Sequence, residues 1–193
     1  NKFLRAGVGF GGGCLPKDIR AFQARGQELG VGEALRFLHE VDLINQRRRQ
    51  RVVQLAAELL DRPYGPAGPD LGGIRVTVLG ATFKPNSDDV RDSPALSVVR
   101  KLSRFGAEVT VYDPEGMDPA SKEVSDVTYK KSLIDATVQS AMNVRFRTVR
   151  SASNNGPSEP KPAPNAIRTS SALAARSGVF TCGNLLAFTS FNW

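Results

Sequence analysis

The residues best suited to chemistry lie near the start of the sequence, in the string GVGFGGGCLPKD between Gly7 and Asp18. Consecutive glycines let a ligand approach the main chain and leave N–H groups free to bind oxygens. Cys14 follows the glycines near the start of a predicted helix, and Lys17 lies three residues further on. A helix N-terminus and a lysine both favour the thiolate, which is the nucleophilic form of cysteine. The alternative is that Cys14 is a small buried residue and the glycines only turn the chain.

The same string contains a literal G-x-G-x-x-G at Gly7, Gly9 and Gly12. A dinucleotide-binding fingerprint needs a strand before the first glycine and a helix that opens at the third. Only six residues precede Gly7, and Pro16 lies where such a helix would already be in its first turns. The sequence therefore does not favour a dinucleotide-binding turn at this position.

Two helices are predicted in the first sixty residues. The shorter one follows Cys14 and ends at Gly30, and the longer one runs from about Gly32 to Leu60. The longer helix has an apolar stripe, with Asn45 and Arg48 filling the middle of that stripe. At roughly 40 Å it is longer than a small domain needs. It is therefore predicted to connect domains or to pack against another subunit.

The next part of the sequence predicts an α/β fold. Residues 61–73 are rich in Pro and Gly and indicate a linker. After them come a strand at 74–80, a helix from Pro94 to about 105, and a second strand EVTVYDP, which together imply a right-handed parallel pair. A further helix is predicted near 132–141. Asp113, which ends the second strand, could bind a nucleotide ribose or cap a turn with Pro114.

Composition and charge bound the class of protein. The chain has 193 residues, of which 40% are hydrophobic and 23% charged, with a formal net charge of +7. These values indicate a soluble globular protein, and we expect it to be cytoplasmic. Residues 1–141 carry a net +2 and residues 142–193 a net +5, so most of the excess lies in a Ser-, Asn- and Pro-rich tail. Because that tail lacks interleaved aromatic residues, a nucleic-acid-binding function is not favoured.

One dense basic run occurs within the longer helix, at Arg47, Arg48, Arg49 and Arg51. Four arginines in five helical positions spread around most of the helix and cannot form one narrow nucleic-acid-binding stripe. We therefore expect these side chains to be solvated or packed at a subunit contact.

Four segments occur in the order found in a known enzyme family. They are GFGGGCLPKDIRAF, VDLINQRRRQRVV, FKPNSDDVRDSPAL and VTVYDP. Together they cover about residues 5–141 and resemble the UDP-glucose/GDP-mannose dehydrogenase family, most closely its UDP-glucose-oxidising branch. The resemblance implies the end of a middle domain at 1–60, a linker at 61–73, and a partial Rossmann-like nucleotide-sugar-binding domain at 74–141. An atypical, irregular tail would follow at 142–193, and the family's N-terminal NAD-binding domain would be absent.

The resemblance also implies a reaction, which belongs to nucleotide-sugar metabolism and polysaccharide biosynthesis. Family members oxidise the C6 alcohol of a nucleotide sugar to a carboxylate with two NAD molecules in succession. Cys14 matches the nucleophile that captures the aldehyde as a thiohemiacetal, which is then oxidised to a thioester. Asp18 matches the aspartate that assists proton transfer or positions water. UDP-glucose would thus become UDP-glucuronate.

The other matching positions imply ligand contacts. Substrate-binding residues implied by the family are Phe10, Gly11, Gly12 and Lys84, and cofactor-binding residues are Lys17 and Arg91. The cations suit pyrophosphate oxygens. From the residues alone, Lys84 and Arg91 could equally pair with the aspartates at 88, 89 and 92 in a solvated loop.

Several expectations concern the chain as a whole. The resemblance implies a homodimer in the complete enzyme, with a nucleotide sugar as ligand and neither nucleic acid nor membrane as partner. We expect this chain alone to be an inactive fragment. The abrupt change of composition near residue 142 suggests that the sheet stops there, through a shifted reading frame or a fused sequence. The alternative function is a noncatalytic module that binds a nucleotide sugar or packs against a subunit.

Overall fold

The computed structural model describes residues 7–138 and 140–146, together with the backbone of 179–182 and 185–188. Its first part is helical: α1 spans Leu15–Glu28, a 3-10 turn spans Gly32–Leu35, and α2 spans Arg36–Leu59. Both predicted helices are present, although the first turn of the longer one is 3-10 rather than α. None of the helices in the described residues is long and apolar enough to cross a membrane.

The long helix α2 packs through one face whose centre is partly polar. Val52, Val53 and Ala56 are buried in the core, and Asn45 and Arg49 are buried on the preceding turns. Positions separated by three or four residues share a face of a helix, so these side chains form one continuous buried stripe. The stripe therefore carries two polar groups that need hydrogen-bond partners.

The segment predicted as a linker is folded against the sheet domain. It forms a two-residue antiparallel pair, β1 (Tyr64–Gly65) with β2 (Gly68–Pro69). Gly68 has a φ of 101°, and a β-carbon there would collide with the Phe105 ring. The N–H of Leu71, which is fully buried, donates to the Phe105 carbonyl at 2.9 Å. The Gly- and Pro-rich composition thus serves a tight turn that packs closely.

The remaining elements build one sheet with helices between its strands. The strands are β3 (Arg75–Leu79), β4 (Glu108–Tyr112), β5 (Thr128–Tyr129), β6 (Met142–Phe146), β7 (Val179–Cys182) and β8 (Leu185–Phe188). The helices are α3 (Pro94–Arg104), α4 (Met117–Glu123) and α5 (Leu133–Thr137). The strand order is β5-β4-β3-β6-β8-β7, and every pair is parallel except the antiparallel pair β7 and β8.

Local sequence explains why α3 begins and ends where it does. The Ser93 hydroxyl accepts a hydrogen bond from the Leu96 N–H at 3.3 Å and donates to the Ala81 carbonyl at 2.6 Å. Pro94 occupies the first turn, where its missing N–H costs no helical bond. Gly106, at a φ of 90°, supplies the left-handed residue that follows the helix. These residues fix the direction in which the loop after β3 enters the helix.

The prediction that the sheet pattern ends at residue 141 is wrong. Strand β6 pairs with β3 in parallel, and Val144 and Phe146 are almost fully buried. Its sequence MNVRF alternates apolar and polar residues, which is the pattern of a strand. Strands β7 and β8 extend the same sheet within the segment predicted as an irregular tail. Residues 147–178 lie outside the described part of the chain.

A buried carboxylate holds the loop that follows β3. Both oxygens of Asp113, which is 2% exposed, accept backbone hydrogen bonds. One oxygen accepts from the N–H groups of Ala81 and Thr82 at 2.7 and 3.3 Å, and the other accepts from Glu115 and Gly116 at 2.9 and 2.8 Å. Of the two roles considered for Asp113, the structure supports turn capping. Its oxygens are already engaged by the main chain rather than directed at a ribose.

We expect Asp113→Ala to lower the free energy of unfolding by roughly 3 kcal/mol, because it leaves buried N–H groups without an acceptor. Urea unfolding followed by circular dichroism measures this loss. The matched control is Asp118→Ala, which removes an exposed carboxylate from the same domain and should change stability by less than about 0.5 kcal/mol. Equal effects of the two substitutions would contradict the structural role of Asp113.

Candidate functional site

The strand order defines a switch point at one edge of the sheet. Strand β3 has β4 on one side and β6 on the other, so the direction of winding reverses at β3. In open parallel sheets, ligands bind at such a switch point, outside the carboxyl ends of the strands. The segment Gly80–Ser93 leaves β3 at this end and carries Lys84 and Arg91. We name this segment the β3 loop.

Lys84 is an exposed cation of the β3 loop. Its ammonium lies 5.1 Å from the centre of the Phe83 ring. In the part of the chain that the structure describes, no carboxylate lies within ion-pair distance of this ammonium. The alternative in which Lys84 pairs with a neighbouring aspartate is therefore not observed. Lys84 is available to an anionic ligand at the switch point.

The glycine string, here named the cysteine loop (residues 7–14), leads directly into α1. Cys14 is the residue that precedes the helix, and its side chain is exposed. Its carbonyl accepts the Asp18 N–H at 2.8 Å, and Pro16 fits the first turn. The thiol therefore lies at the end of α1 where partial positive charge accumulates, as the sequence predicted.

The cysteine loop and the β3 loop touch through their backbones. The N–H of Gly12 donates to the Arg91 carbonyl at 2.9 Å. A β-carbon at Gly12 would lie 2.7 Å from the Phe83 ring, and one at Gly13 would collide with the Arg91 guanidinium. Glycine is favoured at position 12 both by this close approach and by a φ of 92°, whereas the guanidinium beside Gly13 is the end of a flexible side chain. The contact brings Cys14 to the same region as Lys84 and Arg91.

A two-point ion pair fixes the guanidinium of Arg91. Its Nε donates to the two Asp89 oxygens at 3.0 and 3.1 Å, and its Nη2 donates to one of them at 2.6 Å. The hydrogen bonds from Arg91 hold the pKa of Asp89 below its usual value, and the bonds to Asp89 raise the pKa of Arg91. Arg91 is exposed, so this pair orients the guanidinium at the surface.

Lys17 and Asp18 lie in the first turn of α1. Their side chains form an exposed ion pair, with Lys17 Nζ 3.2 Å from Asp18 Oδ1. Asp18 follows Cys14 by four residues, so the two share a helix face.

Among the residues expected to bind the sugar, Phe10 is half-buried, and Gly11 and Gly12 are buried. No group of three side chains able to hold a metal ion occurs in the described ranges.

Polar side chains of α2 hold the cysteine loop, and the sequence analysis did not assign them this role. Asn45 exchanges two hydrogen bonds with the main chain of Phe10, and Arg48 donates to the Gly7 carbonyl at 3.1 and 3.3 Å. Arg49 is buried and bonds to both loops, so the expectation of a solvated or subunit-contact position is wrong for it. The available signal was the presence of Asn45 and Arg48 within the predicted apolar stripe, and it did not extend to Arg49.

Two models of one enzyme family match the chain. The central domain of the UDP-glucose/GDP-mannose dehydrogenase family matches residues 1–47, and the UDP-binding domain of that family matches residues 77–148. The second match includes β6, in agreement with its place in the sheet. Together the two matches cover well over half of the chain.

Curated relatives and solved structures agree with these models. The UDP-glucose 6-dehydrogenase of Rhizobium meliloti is 37% identical over 139 residues, which are 72% of this chain and 30% of the relative. A UDP-glucose dehydrogenase structure from Pyrobaculum islandicum superposes with a TM-score of 0.62 at 37% identity, over 72% of this chain and 30% of the other.

A GDP-mannose dehydrogenase from Pseudomonas aeruginosa shares the fold, with a TM-score of 0.60 at 24% identity over 74% of this chain and 32% of its own. The chain thus spans about 30% of the length of the relatives it matches. Two matched domains, the helix-and-parallel-sheet fold and 37% sequence identity to a relative support one conclusion. The chain belongs to the UDP-glucose/GDP-mannose dehydrogenase family.

Proposed function

We propose that this chain forms part of an enzyme that oxidises UDP-glucose to UDP-glucuronate with NAD, and that Cys14 is its nucleophile. The observation that carries the proposal is the contact between the cysteine loop and the β3 loop, made by Gly12 with Arg91 and Phe83. This contact brings an exposed thiol near two exposed cations at the switch point of the sheet. The relatives named UDP-glucose 6-dehydrogenase support UDP-glucose as the sugar nucleotide.

In this proposal the nucleotide sugar lies across the two loops. The Lys84 ammonium binds a pyrophosphate oxygen as a point charge. The main chain at Phe10, Gly11 and Gly12 lines the sugar, because residues without side chains allow close approach of a ligand. The C6 carbon of the sugar then lies within reach of Cys14.

The chemistry proposed for Cys14 is addition to the aldehyde formed at C6. The thiolate sulfur bonds to the carbonyl carbon, and the oxygen takes up a proton to give a thiohemiacetal. After oxidation to a thioester, water adds to the carbonyl carbon and the C–S bond breaks, which releases the carboxylate and the thiol. Asp18, one helical turn from Cys14, can accept a proton from that water. Covalent capture keeps the reactive aldehyde in the site between the two oxidations.

NAD, when bound, would accept the hydrides removed from C6. The exposed guanidinium of Arg91, oriented by Asp89, suits a phosphate oxygen of the dinucleotide. Lys17 offers a second exposed cation beside Asp18. The glycine string enters α1 only at Leu15, three residues after Gly12, whereas a dinucleotide-binding turn opens its helix at the third glycine. Among these residues, Arg91 therefore fits the cofactor best.

A second candidate function is a noncatalytic module for nucleotide-sugar binding or subunit packing. It is favoured by large apolar side chains that α1 and α2 leave exposed, among them Phe22, Phe37 and Ile44, each more than half exposed. Sedimentation measures whether the chain self-associates, and calorimetric titration measures whether it binds UDP-glucose. Binding without any role of Cys14 in oxidation would favour this second function.

The test uses an extended protein, in which the Rhizobium relative supplies the parts that this chain does not cover. In that protein we expect Cys14→Ser to lower the rate of NADH formation from UDP-glucose at least about a thousandfold. The loss follows because an alcohol is a far weaker nucleophile than a thiolate. NADH absorbance measures the rate. The matched control is Cys182→Ser, which changes the chain's other cysteine and should leave the rate within about twofold. Activity retained by Cys14→Ser would overturn the assigned nucleophile.

We expect Lys84→Ala to weaken binding of UDP-glucose about tenfold, because a charge-assisted bond to phosphate is lost. Isothermal titration calorimetry with the 193-residue chain measures the dissociation constant. Lys122→Ala, which removes an exposed lysine of α4, is the control and should leave the affinity unchanged. Equal affinity of Lys84→Ala and the unsubstituted chain would remove Lys84 from the proposed site.

We expect the 193-residue chain by itself to reduce no NAD when UDP-glucose is supplied. Hydride transfer requires a nicotinamide held against the sugar, and the matched parts of the chain are the central and UDP-binding domains. Absorbance at the NADH maximum tests this expectation, with the extended protein as the positive control. Measurable NADH formation by the chain alone would show that it holds the cofactor without further domains.

A further inference from the structure

Asn45 binds the cysteine loop as a neighbouring strand would. Its Oδ1 accepts the Phe10 N–H at 2.9 Å, and its Nδ2 donates to the Phe10 carbonyl at 3.0 Å. The side chain is 3% exposed, so both bonds are largely shielded from water. The neighbouring Gly9, with a φ of 121°, lies so close that a β-carbon there would collide with Asn45 Oδ1. One amide therefore fixes both the position and the direction of the loop backbone.

Arg49, one turn further along α2, joins the cysteine loop to the β3 loop. Its Nη2 donates to the Phe10 carbonyl at 2.7 Å and to the Asp92 carbonyl at 3.3 Å, and its Nη1 donates to Asp92 Oδ1 at 2.9 Å. The guanidinium is a rigid fork, so these three acceptors are held at fixed relative positions. At 5% exposure, the bonds to Arg49 are protected from competing water.

Asp92 also shows that the β3 loop is held against its own backbone preference. Its φ of 45° lies in the left-handed region, which is unfavourable for most residues other than glycine. Such a conformation persists where surrounding contacts over-determine it, and it often marks a functional site. Arg49 binds both the carbonyl and the carboxylate of Asp92, while Arg20 lies 3.9 Å from the second carboxylate oxygen. These contacts account for the persistence of the strained residue, which is followed directly by the Ser93 cap.

We propose that Asn45 and Arg49 are positioning residues, which hold the cysteine loop against the β3 loop so that Cys14, Lys84 and Arg91 face one ligand. This inference rests on the function proposed above, because it assigns the two residues a role in placing the nucleophile. Neither residue touches the reacting atoms. A purely structural role would instead stabilise the whole chain without a particular effect on the cysteine loop.

Hydrogen exchange of single amides tests the placement without any need for catalysis. In the full 193-residue chain we expect Asn45→Ala to speed exchange of the Phe10 amide about tenfold, because its acceptor is lost. Amides of the central strand β3 should stay within about twofold. The control is Arg47→Ala, which removes an exposed arginine from the same helix and should change neither. An unchanged Phe10 amide in Asn45→Ala would overturn the inference.

Arg49→Lys provides the second variant, which decides the matter if Asn45→Ala loosens the whole chain. The charge is kept, but a lysine ammonium cannot reproduce the fork that reaches Phe10 and Asp92 together. We expect faster exchange of the Gly12 amide, which donates to the Arg91 carbonyl between the two loops, with β3 unaffected. Equal exchange rates of the Gly12 amide in Arg49→Lys and in the unsubstituted chain would mean that Arg49 does not couple the loops.

Kinetics of the extended protein separate positioning from stability. We expect Asn45→Ala to lower kcat about a hundredfold and to leave KM for UDP-glucose within about threefold, because a misplaced nucleophile slows chemistry more than binding. If the loss of activity in Asn45→Ala were no larger than the fraction of that variant that is unfolded, the positioning role would be overturned. If exchange changes as expected but Cys14→Ser keeps full activity, the proposed function fails while the coupling of the loops stands.

Discussion

The cysteine loop has few side chains with which to anchor itself, and this constraint governs the surrounding structure. Between Gly7 and Gly13 five of the seven residues are glycines, so the position of the loop depends on hydrogen bonds to its backbone. Helix α2 supplies those bonds from Asn45, Arg48 and Arg49. The length of α2 follows from the same need, because one rigid element contacts both this loop and the sheet domain. The polar residues in its apolar stripe are the connection between the two regions.

The sheet domain solves a related problem by the same physical means. The β3 loop leaves the sheet at the point where the winding reverses, and it carries the exposed cations Lys84 and Arg91 without regular secondary structure. Asp113 anchors its first residues through their N–H groups, and Ser93 closes its end by bonding the Ala81 carbonyl. The carboxyl ends of the strands are therefore flanked by a loop that carries exposed side chains yet is firmly held.

Much of the fold could be predicted from sequence, because it depends on local patterns. The N-cap at Ser93, the glycine after α3 and the apolar strand at 75–79 each have a direct physical meaning along the chain. Strand β6 was not predicted, although apolar and polar residues alternate in MNVRF. The basic, low-complexity residues that follow it do not continue the α/β pattern, so the whole segment was predicted to be irregular. The composition changes near residue 142, but the sheet continues beyond that point. Only the pairing of β6 with β3 reveals this difference.

The geometry of the candidate site was predictable where it depends on neighbours in sequence and was not predictable where it depends on long-range contacts. Cys14 at the start of a helix followed from its neighbours in sequence. The burial of Arg49 did not, because Arg47 and Arg51 on either side form surface ion pairs, and sequence does not tell which of these arginines faces inward. The role of Asp113 required knowing that Ala81 and Thr82 lie beside it, more than thirty residues away.

The way these anchors bind has an evolutionary consequence. Asn45 forms hydrogen bonds to a main-chain N–H and carbonyl, and Asp113 accepts hydrogen bonds from main-chain N–H groups. Arg49 donates to two main-chain carbonyls and to one carboxylate. Every amino acid but proline offers the same N–H and carbonyl, so apart from the close-packed glycines and Asp92 these anchors do not dictate the side chains of the loops they hold. Side chains at exposed positions of the β3 loop can therefore change while the loop keeps its course.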